Sequence, residues 1–285
     1  MKFQHVRLHG FGYELPPNVI TSDAIEERLA PVYVKLKLPK GRLELMSGIK
    51  ERRFWEKGTR PSDAAVLAGQ KALAASGLPA SELGCLIFTS VSRDMMEPAT
   101  ASFVHNQLGL PEQCLVFDIS NACLGFLDGM LFLANMIELG QVKCGLLVAG
   151  ETAEDLLEST IKNLAADNSL TRKTIKYSFA SLTIGSGAVA LVMTHEKYSR
   201  GMQKFIGGAY RANTRHSELC QGGQTSASAS GHASTLMATD SEELMKRGIE
   251  TAKNTWHHFL EDLGWLGTDI DVFFCHQVGQ AHARL

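Results

Sequence analysis

No two of the six cysteines, at positions 85, 114, 123, 144, 220 and 275, stand at the close spacing that zinc sites and redox pairs use. They read as free thiols of a reducing compartment. HExxH and EF-hand patterns are missing, as are the dinucleotide fingerprint and the phosphate loop that ends in Lys-Ser or Lys-Thr. Nothing therefore calls for a metal or a nucleotide cofactor. Neither charge is in excess: 28 Lys and Arg face 30 Asp and Glu, a formal charge of -2, which gives no global electrostatic case for nucleic acid. The opening MKFQHVRLHG moves straight into strand-like alternation without an apolar leader, so the cytoplasm is the expected location. The most apolar region, 114 to 137, is interrupted by Asp118, Asn121, Asp128 and Asn135, costly residues facing lipid, and no transmembrane segment is expected. With 45% hydrophobic and 20% charged residues, the chain has the composition of a packed globule.

What is present is a regular alternation of elements. Residues 3 to 13 alternate toward Leu15-Pro16-Pro17, a strand and its turn, and Thr21, or else Ser22, is placed to cap a helix. Ser62 to Ala75 reads as a helix closed by Gly77, and further helices are expected at Pro98 to Leu108 and Cys123 to Ile137. Leu83 to Ser90, Cys114 to Ile119 and Cys144 to Ala149 are short apolar runs of the kind that make buried strands. This order gives an α/β fold with largely parallel strands.

A repeat sharpens that reading. Gly77-Leu78, Ser81-Glu82-Leu83 and Leu86-Ile87-Phe88 lie on Gly264-Trp265, Thr268-Asp269-Ile270 and Phe273-Phe274-Cys275 at a constant offset of 187 residues. Two related α/β halves account for it, 1-175 and 176-285, although the helix-then-strand unit is common enough for chance to compete. The second half is expected to hold strands at Ser181 to Met193, Lys204 to Arg211 and Val272 to Cys275, and a helix from Glu242 to Leu263. It stops at Leu285, before the remaining strands of its sheet. Gln221 to Ser234 is small and polar, a loop by composition or a cover over a substrate entrance.

Cys123 follows a strand and a tight turn at the start of an apolar helix, where unpaired N-H groups and the helix field favour a thiolate. A cysteine in an apolar run is as readily plain core. His276 comes directly after the run VFFC, at a strand end where open α/β folds place reactive groups, and can act as acid or base beside Cys123. His282 is secondary to it. Glu97 lies between a strand and a helix beside Met95 and Met96, either a solvent-facing turn residue or a carboxylate against an apolar wall, suited to removing a carbon-bound proton. Gly185-Ser186-Gly187 is suited to a tight chain reversal near a ligand.

Asn121-Ala122-Cys123, His276-Gln277-Val278 and the run TIGSG ending at Gly187 together resemble the thiolase superfamily and, within it, the ketoacyl synthase III branch. The resemblance implies a five-layered αβαβα fold made of two related halves, the second truncated here, and a homodimer. It carries the nucleophile onto Cys123 and the catalytic histidine onto His276, and it puts an active-site asparagine beyond the last residue, Leu285. The segment VSRDMMEPAT, residues 91 to 100, resembles that of the OleA-type enzymes, which join two fatty acyl-CoA molecules head to head. There the glutamate matching Glu97 reaches across the dimer into the partner's site. Ordinary ketoacyl synthase III enzymes carry a Trp and an Arg ahead of their Thr-Gly-Ile segment, whereas here Met46 takes the Arg position. The expected activity is a non-decarboxylative Claisen condensation of two fatty acyl-CoA thioesters, with CoA as substrate carrier and no cofactor. Condensation of acyl-CoA with malonyl-[acyl-carrier protein] is the alternative, and a non-enzymatic acyl-binding homologue the rival from another class. Met95, Met96, Phe103 and the 156 to 175 region are expected to line acyl chains or the dimer surface, or else to be core.

Overall fold

The computed structural model of the chain describes residues 1-198, 203-224 and 235-276. In chain order the first elements are β1 (Val6–Glu14), β2 (Asn18–Thr21), α1 (Ser22–Arg28), α2 (Ala30–Leu36), α3 (Arg42–Ser47), β3 (Glu51–Phe54) and α4 (Pro61–Ser76). There follow β4 (Cys85–Phe88), α5 (Thr100–Gln107), β5 (Leu115–Asp118), α6 (Gly125–Glu138), β6 (Cys144–Glu151) and α7 (Glu154–Ala166). The last are β7 (Gly187–His195), β8 (Cys220–Gln224), β9 (Thr235–Thr239) and α8 (Ser241–Leu263). The chain divides into two compact units.

The first unit comprises Met1–Pro17, Trp55–Thr152 and Ser186–Gly208. Its sheet has the strand order β1-β7-β6-β4-β5. β4 pairs parallel with β5 and β6, and β7 runs antiparallel between β1 and β6. All four residues of β4 are buried, as a strand covered on both faces requires. On one face Leu86, Phe88, Leu146 and Val148 pack on Ala64, Ala65, Ala68 and Ala72 of α4. On the other, Cys85, Ile87, Leu147 and Met193 pack on Leu133, Ala134 and Ile137 of α6. The alanine stripe lets α4 lie so close that a Cβ on Gly12 or Gly150 would strike its backbone at Ala68 or Pro61.

The second unit comprises Asn18–Phe54, Ala153–Gly185 and Ala209–Leu285. Thr21 caps α1, accepting the Ala24 N–H at 3.1 Å, as its position in the sequence suggests. Ile25, Leu29, Tyr33, Leu43 and Phe54 form a core with Leu157, Ile161 and Leu164 of α7, so much of the 156 to 175 region is core rather than binding surface. The buried Glu26 carboxylate collects the Tyr33 hydroxyl at 3.1 Å and the N–H groups of Gly41 and Leu43 at 2.6 and 2.7 Å. β8 and β9 pair antiparallel, so residues 221 to 224 are strand instead of loop; 225 to 234 lie outside the described residues.

The helix-and-turn part of the 187-residue repeat recurs in three dimensions. Gly77 ends α4 and Gly264 ends α8, both left-handed at φ +67° and +70°, and a 3-10 turn follows each, Ala80–Glu82 and Gly267–Asp269. The strand after the turn does not recur. Residues 85 to 88 form β4, whereas 272 to 275 form no strand and Phe274 is 95% exposed, because no described segment supplies them with a hydrogen-bonding neighbour. Residues 204 to 211 likewise make only the isolated bridges Arg7 to Lys204 and Lys2 to Gly207. The strand expected at Ser181 to Met193 starts at Gly187, since Ala180–Leu182 is a 3-10 turn, and it pairs with β1 and β6. Among the described residues no helix is long and apolar enough to cross a membrane.

Candidate active site

Two consecutive loops of the first unit leave the C-terminal ends of neighbouring parallel strands: the one after β4 carries Glu97, and the one after β5 carries Cys123. The Cys123 loop is short. Ile119 N–H still donates to the Phe88 carbonyl at 2.8 Å beside β4, and by Gly125 the chain is in α6. The reversal is made at Ala122, which sits at φ +45°, a left-handed conformation that costs a residue with a Cβ about 1–2 kcal/mol. A 3-10 turn, Ala122–Leu124, closes it, with Leu124 N–H on the Asn121 carbonyl at 2.9 Å. Cys123 thus precedes α6 by one tight turn and is exposed. Strain at a turn that displays a thiol is the arrangement expected of a functional position.

Packing fixes where α6 starts. A Cβ on Gly125 would stand 2.6 Å from the Thr89 carbonyl oxygen, and one on Gly129 would stand 2.8 Å from Thr89 Cγ2. Both glycines let the start of α6 lie close against Thr89 at the end of β4, which fixes the turn that carries Cys123. Three other cysteines are excluded as nucleophiles. Burial pushes the thiols of Cys85, Cys114 and Cys144 up to about 12, 11 and 11, and they stay neutral at physiological pH.

The Glu97 loop is braced by three carboxylates that the sequence did not single out. Glu151 accepts the N–H groups of Val91 and Ser92 at 2.8 and 3.0 Å. Asp94 accepts the N–H and hydroxyl of Ser62 at 2.9 and 2.6 Å. Asp118, the last residue of β5, accepts the N–H groups of Thr100 and Ala101 at 2.9 and 2.8 Å and so caps α5. Between these anchors the middle of the loop projects. Met96 is 90% exposed, Met95 and Glu97 are exposed beside it, and the Glu97–Pro98 peptide is cis. The apolar wall expected around Glu97 is therefore not supplied by its neighbouring methionines. Phe103 is partly buried under the Arg60 guanidinium, 5.8 Å from its ring centre.

His276 belongs to the second unit, is exposed, and follows the stretch that forms no strand. His282 lies outside the described residues. Gly185 packs on β3, where a Cβ would meet that of Arg52 at 3.0 Å, and Gly187 opens β7. Among the described residues no three His, Cys, Asp or Glu side chains converge as a metal site would require.

Comparison with known proteins places this geometry. The 3-oxoacyl-[acyl-carrier-protein] synthase III family profile matches residues 117–209, the stretch from β5 through β7. The acyl-CoA:acyl-CoA alkyltransferase of Shewanella oneidensis is 42% identical over 289 aligned residues, covering 100% of this chain and 81% of that protein. A beta-ketoacyl-[acyl-carrier-protein] synthase III of Koribacter versatilis is 26% identical, covering 97% of this chain and 78% of that protein. Among solved structures, OleA of Xanthomonas campestris superposes with a TM-score of 0.92 at 36% identity, over 100% of this chain and 79% of that one. Another structure of that protein, with bound lauric acid and lauroyl-CoA, gives 0.90 at 35% identity over 99% and 80%. The fold is thus the thiolase-like α/β architecture, and the chain belongs to the acyl-CoA:acyl-CoA alkyltransferase family of the ketoacyl synthase III branch.

Proposed function

We propose that this chain condenses two fatty acyl-CoA thioesters through an acyl-enzyme on Cys123. Cys123 Sγ attacks the thioester carbonyl of the first acyl-CoA, and CoA leaves as the thiol. Glu97 takes an α-proton from the second acyl-CoA, and the resulting carbanion attacks the acyl carbonyl. The carbon–sulfur bond to Cys123 breaks, leaving a β-keto thioester that hydrolysis releases as the acid. His276 is assigned the stabilisation of negative charge on the thioester oxygen.

The observation that carries this reading is the exposed thiol of Cys123, displayed on a strained turn at the end of a parallel strand. The exposed carboxylate of Glu97 is held outward on a braced loop, free to serve as base in a partner's site, and no carbon dioxide need be lost where a base is supplied. The relative supports the pairing: the glutamate and the cysteine replaced in structures of X. campestris OleA stand the same 26 positions apart as Glu97 and Cys123.

Assembly as a homodimer, with Glu97 delivered to the partner's site, is part of the proposal. Its support is β5, an edge strand with Leu115 50% exposed, together with exposed Met95, Met96, Leu124 and Leu127 on the same unit. A division into two related halves is supported by the recurrent helix, left-handed glycine and 3-10 turn, with β7 belonging to the sheet of the first, so that the join falls after His195 rather than at 175. A cytoplasmic location rests on the free cysteines. Condensation with malonyl-[acyl-carrier protein] is the second reading, favoured by the family profile over residues 117–209.

Intact-protein mass measurement after incubation with lauroyl-CoA tests the first step. The expected result is one lauroyl adduct on Cys123, absent from Cys123→Ala. Binding without an adduct would favour a non-enzymatic acyl-binding protein.

A further inference from the structure

Cys123 is bracketed by a side-chain bond that the chemistry above does not use. Asn121, two residues before the thiol, donates its amide Nδ2–H to Asp128 Oδ2, five residues after it, at 2.5 Å. An amide N–H donor and a carboxyl oxygen acceptor make this an ordinary side-chain hydrogen bond. It ties the loop leaving β5 to the first turn of α6, over the turn that holds the nucleophile. At the surface such a bond adds little to global stability, so its consequence is local geometry.

That geometry needs holding. Ala122 stands at φ +45°, which an alanine leaves readily for the right-handed or extended region. Rotation there would redirect the Cα–Cβ bond of the next residue, Cys123. Ile119 N–H on Phe88 O at 2.8 Å and Gly125 against Thr89 hold the chain on either side of the strained residue, and Leu124 N–H on Asn121 O at 2.9 Å closes the turn across it. The Asn121 side chain adds a second, longer tie that spans both Ala122 and Cys123. Asp128 lies in the first turn of α6, so the tie is anchored on the helix itself.

We propose that Asn121 and Asp128 are positioning residues whose side-chain hydrogen bond holds the left-handed turn at Ala122 and so aims the Cys123 thiol. The inference rests on the reading of Cys123 as nucleophile. Because nucleophilic attack is steep in geometry, loss of the tie lowers acylation by about 10- to 100-fold while acyl-CoA affinity is kept.

Three variants test it: Asn121→Ala, Asp128→Ala and Asp128→Asn, the last keeping an acceptor oxygen without the charge. The first readout is independent of activity. Hydrogen–deuterium exchange over residues 119 to 125 should speed up in both alanine variants and stay near the parent rate in Asp128→Asn. The second is the rate of Cys123 acylation by lauroyl-CoA, which should fall in both alanine variants at unchanged half-saturation and recover in Asp128→Asn. Parent-like exchange in both alanine variants overturns the proposal, as does parent-like acylation. Faster exchange in a chain whose parent is never acylated upholds the tie and instead removes the proposed function.

Discussion

Asp94 spans two elements: its carboxylate, 1% exposed, accepts both the backbone N–H and the hydroxyl of Ser62 at the start of α4. The same residue therefore caps a core helix and pins the loop that carries Glu97. Asp94→Ala leaves two buried donors without an acceptor, a loss of about 2 kcal/mol. A fall in melting temperature of roughly 4–8 °C is expected for a chain of this size, with a smaller fall in Asp94→Asn. Thermal unfolding followed by circular dichroism decides it, and unchanged midpoints in both variants would remove Asp94 from its bracing role.

Gly125→Ala tests the backbone contact that seats the thiol. The added Cβ would lie 2.6 Å from the Thr89 carbonyl oxygen, a backbone atom that cannot swing aside. The start of α6 must move, at a cost of about 1–3 kcal/mol, and acylation of Cys123 should be lost with it. Gly187→Ala is the control, since nothing lies within 4 Å of its Cβ position and its φ is not left-handed. Equal stability in the two variants would mean that α6 is not seated in this way.

How much of this was legible in the sequence depended on how locally each feature is determined. α4, α8 and β4 to β6 fell within a few residues of their expected limits, because their apolar runs and glycine stops act over a turn or two. Gly77 was readable as a stop for the same reason. Residues 272 to 275 read as strand from identical local cues and form none, because a strand also needs a neighbour that no pattern within it supplies. Cys123 was singled out by its position after a strand, and Glu97 chiefly by the resemblance of its segment to that of a known family. Asp94, Asp118 and Glu151 were missed, because their partners Ser62, Thr100 and Val91 are 32, 18 and 60 positions away and carboxylates in loops look alike. Asn121 and Asp128 are only seven apart, but the bond depends on the reversal at Ala122, which alanine gives no reason to expect.

The buried thiols make stability depend on alkaline pH. Burial raises Cys85, Cys114 and Cys144 from 9.0 to about 12, 11 and 11. A folded-state value above the unfolded one means that their contribution is fully present below about pH 9 and is lost as pH rises toward 11, because only the unfolded chain releases the protons. The urea midpoint should therefore fall as pH rises from about 9 to about 11, and fall less in Cys144→Ala. An identical slope in that variant would remove the thiol as a cause. Native labelling at pH 8 with a disulfide reagent should reach the exposed Cys123, Cys220 and Cys275 well before the buried three.

Glu97→Gln separates the two chemical readings. The amide keeps the size of the side chain and removes the only feature a base needs, an oxygen that can take a proton from carbon. Because Glu97 is exposed at the tip of a loop held elsewhere by Glu151, Asp94 and Asp118, the substitution should leave the fold and the Cys123 turn unchanged. Acylation by lauroyl-CoA should then proceed at the parent rate, while condensed β-keto product falls by about 100-fold or more, the scale of a lost general base. If the carboxylate serves the partner's site, Glu97→Gln chains mixed with Cys123→Ala chains should recover activity, since each mixed dimer contains one site with both groups. Unmixed variants should stay inactive. Full condensation of two lauroyl-CoA molecules by Glu97→Gln alone would rule out proton abstraction by this residue, and product formed only when malonyl-[acyl-carrier protein] is supplied would establish the decarboxylating reading instead.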